Sequence, residues 1–150
     1  KMPFYCANNI VNAILWDKSN TAKESGVTLD CDASLSNDIL IDDVDLCCLI
    51  VNMLDNAIRG AKAAESDKSI CIKIKEENGR IYISVSNYAD MPDFESTEKL
   101  PSTKANNNHG YGTEIIRNIV QKYDGDVLFT CKDRKFSTAL SIRIKGKDQE

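Results

Sequence analysis

Two asparagines one helical turn apart, Asn52 and Asn56, interrupt an otherwise apolar stretch, Ile50-Val51-Asn52-Met53-Leu54-Asp55-Asn56-Ala57-Ile58-Arg59-Gly60-Ala61. Asparagine is a poor helix former, and a buried amide without a partner costs about 1–3 kcal/mol. Two of them in such a run need a chemical reason. Amide oxygens are hard ligands of the kind Mg²⁺ takes, and they also bond phosphate-bound water. Further along, Asn108-His109-Gly110-Tyr111-Gly112-Thr113-Glu114 leads into a second amphipathic segment. Glycines permit close backbone approach, and the free amides of a helix N-terminus attract phosphate. Together these parts suit a pocket for a magnesium-bound nucleotide.

Each part also has a plainer reading. At ~100° per residue, Asn52, Asn56 and Arg59 all fall within roughly 40° of Asp45 on a helix. Leu46, Ile50, Met53, Ala57 and Ala61 gather on the other side. On geometry alone such a stripe is a solvent face. Residue type argues otherwise, because solvent faces favour Lys and Glu. Gly-x-Gly by itself is a loop-to-helix junction, and the single histidine, His109, reads by itself as a solvated loop residue.

The elements that must position these residues follow from periodicity. A helix is predicted over 4–24, with Ile10, Val11, Ile14 and Leu15 as its apolar stripe and Gly26 as its stop signal. Residues 27–33 alternate as a strand. The central helix runs over 41–64, capped by Asp42 or Asp43. Strands follow over 69–75 and 80–87, joined by Asn78-Gly79, a hairpin signal. Residues 88–109 are polar and carry Pro92, Pro101 and Asn106-Asn107-Asn108, a connection too long to be ordinary. A helix over 113–123, with Gly125 past its end, and a hairpin of strands over 127–131 and 136–144 complete the chain. The tail from Gly146 is expected to fray. This order predicts an α+β two-layer sandwich, a mixed sheet with helices on one face. It lacks the strict alternation of a doubly wound nucleotide fold and the phosphate-loop pattern ending Gly-Lys-Ser/Thr.

Composition limits the partners. The chain's 150 residues suit a single domain, 1–150. A formal net charge of -4 with no basic face argues against nucleic acid. No apolar run approaches the ~20 residues that span a bilayer, and Lys1-Met2-Pro3-Phe4 does not read as a signal peptide. The six cysteines, Cys6, Cys31, Cys47, Cys48, Cys71 and Cys131, form no Cys-x-x-Cys pair and lie mostly in apolar segments. They read as reduced thiols of a cytoplasmic protein rather than as metal ligands.

Taken together the segments resemble the GHKL superfamily of ATP-binding domains, with its Bergerat fold. Asn52-Met53-Leu54-Asp55-Asn56-Ala57-Ile58 is similar to its asparagine box. His109 through Gly125 is similar to its second glycine box and the helix that follows. The resemblance covers residues 4–145. Tyr5-Cys6-Ala7-Asn8-Asn9-Ile10-Val11-Asn12-Ala13-Ile14-Leu15 further resembles the opening of Firmicutes-type sensor histidine kinases of the peptide quorum-sensing kind. The resemblance implies ATP and Mg²⁺ as cofactors, with Asn56 on the metal and Asn52 beside it. It implies that Gly110 and Gly112 approach the phosphates, in company with His109, Tyr111 and Thr113. Residues 88–109 would be the ATP lid, carrying Lys104. One departure matters: the superfamily's first glycine box, Asp-x-Gly-x-Gly, is missing. Asn87 stands where the adenine-binding aspartate would be, so its neutral amide oxygen would accept from adenine less strongly than a carboxylate.

The resemblance also separates reaction classes. Superfamily members that activate water or serine carry a glutamate where this chain has Asn52, because those nucleophiles need a general base. A neutral histidine does not. Asn52 therefore favours phosphoryl transfer to histidine, with Arg59 and Lys104 as candidate charge-neutralising groups. The acceptor histidine is not in this chain. It is expected on a separate dimerisation domain of the same full-length protein, a membrane sensor kinase that signals to a response regulator, with the isolated domain monomeric. A degenerate GHKL domain serving as a protein-interaction module and a GHKL ATP hydrolase are the alternatives.

Overall fold

The computed structural model describes residues 2–97 and 110–144. Lys104 and His109, the asparagine run 106–108 and the tail from Gly146 lie outside the described residues. The elements are α1 (Asn9–Glu24), β1 (Thr28–Ser34), α2 (Asp43–Ala63), β2 (Ser69–Glu77), β3 (Arg80–Tyr88), β4 (Phe94–Ser96), α3 (Gly110–Lys122), β5 (Asp126–Lys132) and β6 (Lys135–Arg143). The strands form one mixed sheet in the order β1-β2-β3-β6-β5-β4. The pair β1–β2 is parallel and every other pair is antiparallel. This is the α+β sandwich that the element order predicts.

Alternation of side chains builds the layers. Ile70, Ile72 and Ile74 of β2, Ile81, Ile83 and Val85 of β3, Leu140 and Ile142 of β6, and Val127 and Phe129 of β5 are buried on the helix-facing side. They meet Val11, Ile14 and Leu15 of α1, Ile116, Ile119 and Val120 of α3, and the apolar face of α2. Their neighbours along β3, Tyr82, Ser84 and Ser86, point to the more open face. Asn87 continues the apolar row Ile81-Ile83-Val85 of β3, so the alternation itself turns this amide toward the helices.

Local chemistry ends the elements. Asp42 caps α2 by accepting from the N–H groups of Val44 and Asp45 at 2.9 and 3.1 Å. Lys68 closes the other end, its ammonium on the carbonyls of Lys62 and Ala64, both at 2.7 Å. Asn78 and Gly79 both adopt positive φ, as the Asn-Gly hairpin signal requires.

Four expectations need correction. Helix α1 starts at Asn9 rather than at residue 4, because the N–H groups of Tyr5 and Cys6 both donate to Asn12 Oδ1 and hold the preceding segment extended. Asn8 then caps the helix by accepting from Val11 N–H at 3.1 Å. A short strand, β4, lies within the stretch expected to be loop; three residues are too few to show a period, and its pairing with β5 is non-local. Helix α3 begins at Gly110, so the two glycines sit inside its first turn instead of before it. The left-handed residue that ends α3 is Asp124, at φ 49°, while Gly125 serves a different purpose: a Cβ there would lie 2.0 Å from the Ser141 carbonyl oxygen. No helix among the described residues is long and apolar enough to cross a membrane.

Candidate functional site

The polar stripe of α2 is not a free solvent face, because α3 packs along it. Asn52 and Asn56 are half-buried. A Cβ on Gly112 would lie 3.3 Å from Oδ1 of Asn52 and 3.3 Å from Oδ1 of Asn56, with Asn56 Nδ2 at 3.6 Å. The first turn of α3 therefore presses bare backbone against both amides, and only a residue without a side chain leaves that gap open. Asn52 is held by its own helix: its Nδ2 donates to the Cys48 carbonyl at 2.6 Å, which leaves its oxygen directed at Gly112.

One turn further along α2 stands Gly60, whose Cβ position would be 2.6 Å from Nδ2 of Asn87. Asn87 is 3% exposed, and its Nδ2 donates to the Tyr88 carbonyl at 3.1 Å. Asn52, Asn56 and Gly60 recur every four residues and so form one track along α2, about 12 Å long. Gly112 of α3 walls one end of the track and Asn87 of β3 the other. Gly60 was missed in the sequence. Its signal was a glycine inside a helix, which costs up to ~1 kcal/mol against alanine and so implies a close neighbour.

Thr113 adds a second oddity at the Gly112 end. It is 5% exposed, and its Oγ1 is buried without a hydrogen-bond partner. Native interiors rarely leave a hydroxyl in that state. Gly110 and Tyr111 precede it in the same turn of α3. Arg59 is exposed on the stripe, between Asn56 and the end of α2. Thus Asn52, Asn56 and Gly112 are brought together, with Thr113 the next residue of α3 and Asn87 at the far end of the track.

Charged groups brace the site from outside. Lys18 of α1 reaches Asp55 at 2.7 Å. Asp45 Oδ2 accepts from Lys122 Nζ at 2.7 Å and from the Tyr123 hydroxyl at 2.6 Å. Lys122 and then Tyr123 hold the Asp45 carboxyl below its ordinary range, while burial pushes the Tyr123 phenol up. The connection leaving β3 is also pinned. Ala89 N–H donates to the Arg134 carbonyl at 2.8 Å, Asp133 N–H donates to Asp93 Oδ1 at 3.0 Å, and the Phe94 and Phe136 rings stack at 6.2 Å.

The gap that a Cβ on Gly112 would fill, two amide oxygens facing it, and an orphaned threonine hydroxyl on the next residue suit phosphate and a hard cation.

Comparison with known proteins agrees with the fold. The family described as the GHKL domain matches residues 41–144. No curated protein matches the chain in sequence. Among solved structures, full-length ShkA in complex with AMPPNP superposes with a TM-score of 0.68 at 14% identity, over 91% of this chain and 30% of its own. The Acinetobacter baumannii histidine kinase AdeS gives 0.65 at 14% identity, over 91% of this chain and 64% of its own. The nucleotide-free catalytic domain of histidine kinase ThkA gives 0.69 at 13% identity, over 89% of this chain and 90% of its own. The chain thus spans less than two thirds of the first two and nearly all of the third.

Proposed function

Since the chain belongs to the GHKL family, we propose that it binds Mg-ATP along the Asn52–Asn56–Gly60 track and presents the γ-phosphate to a histidine on a separate dimerisation domain of the same full-length protein. The observation that carries this reading is the contact of Gly112 with both asparagines, which sets a phosphate-seeking helix terminus against two amide oxygens. In this reading residues 1–150 are one catalytic domain, the lid belongs to the part of 88–109 that follows strand β4, and the parent protein is a cytoplasm-facing sensor kinase of the quorum-sensing kind that hands phosphate on to a response regulator.

The residues divide the task. Asn56 would hold Mg²⁺, with Asn52 beside it. The bound metal supplies positive charge to the phosphate oxygens. The amides of the first turn of α3, at Gly110, Tyr111 and Gly112, face the phosphates, and Thr113 offers a hydroxyl there. Asn87 accepts from the base at the other end. Arg59, together with Lys104 and His109 outside the described residues, supplies neutralising or hydrogen-bonding groups. Asn52 is an amide and cannot take a proton, so water and serine hydroxyls gain no base at that position. An imidazole nucleophile needs none.

Calorimetric titration of Mg-ATP into the chain, beside Asn56→Ala, tests the binding half. The wild type should bind and the variant should lose at least tenfold in affinity. Incubation with radiolabelled ATP should give little turnover from the chain alone and should label a histidine-bearing helix pair supplied in trans. Vigorous hydrolysis by the chain alone would contradict the transfer reading. Absence of binding at millimolar Mg-ATP would contradict the nucleotide reading altogether.

A further inference from the structure

Eleven residues separate Asp45 from Asn56 on α2, and eleven separate Gly112 from Tyr123 at the other helix. At 1.5 Å per residue each span is about 16 Å. Asp45 meets Tyr123 at one end and Asn56 meets Gly112 at the other. The two helices therefore run antiparallel, hydrogen-bonded at one end and closely packed at the other, at matched distances. At the first end the Tyr123 hydroxyl donates to Asp45 Oδ2 at 2.6 Å and accepts from Asp42 N–H at 3.3 Å. Asp42 is itself the cap of α2, so Tyr123 is bound to the first turn of that helix. The N–H of Tyr123 still bonds the Ile119 carbonyl at 3.2 Å, which ties its backbone to the last turn of α3.

We infer that Asp45 and Tyr123 form a positioning pair, which sets how closely the first turn of α3 approaches Asn52 and Asn56 and thereby sets nucleotide affinity. This rests on the reading that the track holds a nucleotide. A tilt of about 4° at the clamp moves the far end of a 16 Å lever by roughly 1 Å, enough to spoil alignments that bound groups depend on. The contact being set is only 3.3 Å from the missing Cβ of Gly112 to either oxygen. Neither Asp45 nor Tyr123 touches the track, so any effect on nucleotide must travel along α3.

Tyr123→Phe removes the donor hydroxyl, and Asp45→Leu, close to it in size, removes the accepting oxygens. Two readouts apply to both variants and to the double variant. The first is hydrogen–deuterium exchange, without nucleotide, at the amides of residues 114–117, the first bonded amides of α3. The second is calorimetric affinity for Mg-AMPPNP. Exchange at those amides should rise several-fold while β2 and β3 stay as in the wild type, and the dissociation constant should rise about three- to tenfold. The double variant should fall within about twofold of the weaker single variant, because both residues belong to one contact. A merely structural role would loosen the Lys122 end of α3 or the whole molecule, and leave the first turn no worse than the rest. That pattern, or unchanged affinity in a folded variant, overturns the inference. If the wild type binds no nucleotide, the proposed function fails, and the exchange pattern alone then decides whether the pair positions α3.

Discussion

Gly60 of α2 and Asn87 of β3 are in direct contact: a Cβ on the glycine would stand 2.6 Å from the amide nitrogen of the asparagine. The asparagine cannot easily move aside. It is buried, short, and tied to the Tyr88 carbonyl at 3.1 Å. The helix has therefore given up a side chain so that an amide can lie on its backbone, at the end of the track opposite to Gly112.

Gly60→Ala tests that relationship. Alanine gains up to ~1 kcal/mol of helix propensity, and overpacking costs ~1–3 kcal/mol. At 2.6 Å the overpacking term should win, for a net loss of roughly 1 kcal/mol in urea denaturation. Adenine-nucleotide affinity should fall as well, because Asn87 must shift to make room. A variant as stable as the wild type, with unchanged affinity, would show that the contact is loose.

Asn87→Asp would restore the residue type that the family resemblance associates with adenine, yet it should not improve the protein at neutral pH. The carboxylate would set an oxygen against the Tyr88 carbonyl in place of the donor now found at 3.1 Å. It would also bury a charge at a position 3% exposed. A loss of ~1–3 kcal/mol is expected at pH 7. Burial raises the folded-state pKa of such an acid. A raised pKa means that relative stability is present below the unfolded value of about 3.9 and is lost as pH rises through the folded value. Denaturation midpoints of variant and wild type should therefore converge toward pH 4. A constant gap across pH would argue against a buried carboxylate.

How far the sequence reaches is visible in these residues. The α2 stripe was legible because Asn52 and Asn56 break an apolar period, and the hairpin was legible because Asn78-Gly79 carries its own backbone conformation. Sheet and helix layers followed from periods of two and 3.6. The strand β4, the Gly60–Asn87 contact and the tie from Asn12 to Tyr5 were not legible. Each depends on a partner distant in the chain or on a side-chain bond that competes with helix formation. The role of Gly125 was misread for the same reason: its neighbour is the backbone of β6, which local pattern cannot show.

Gly125→Ala should be among the most damaging single changes. Its Cβ would lie 2.0 Å from the Ser141 carbonyl oxygen and 3.1 Å from Ile142 Cα, both backbone atoms of β6. No rotamer change relieves such an overlap, so strand or helix must move. A loss of about 3 kcal/mol or more is expected, read as a lowered urea midpoint or failure to fold. Loss below 1 kcal/mol would mean that the turn after α3 is more pliable than its contacts indicate.

Asp45 gives the acid limb of stability a specific origin. Lys122, then Tyr123, holds its carboxyl below the ordinary range in the folded state. A depressed folded-state pKa contributes stability above the unfolded value of about 3.9, and that contribution is lost as pH falls through the folded value. Asp45→Asn removes the titration and keeps the shape. Its destabilisation relative to the wild type should therefore be largest at pH 6–7 and should shrink as pH falls below about 4. Most of the ion pair with Lys122 is open to solvent, the lysine side chain being 61% exposed, and salt should screen that part. The Tyr123 hydrogen bond should persist at high ionic strength. Urea midpoints measured from pH 3 to pH 7 in low and high salt separate the two: a difference abolished by salt would assign the effect to Lys122, and one that survives salt assigns it to Tyr123.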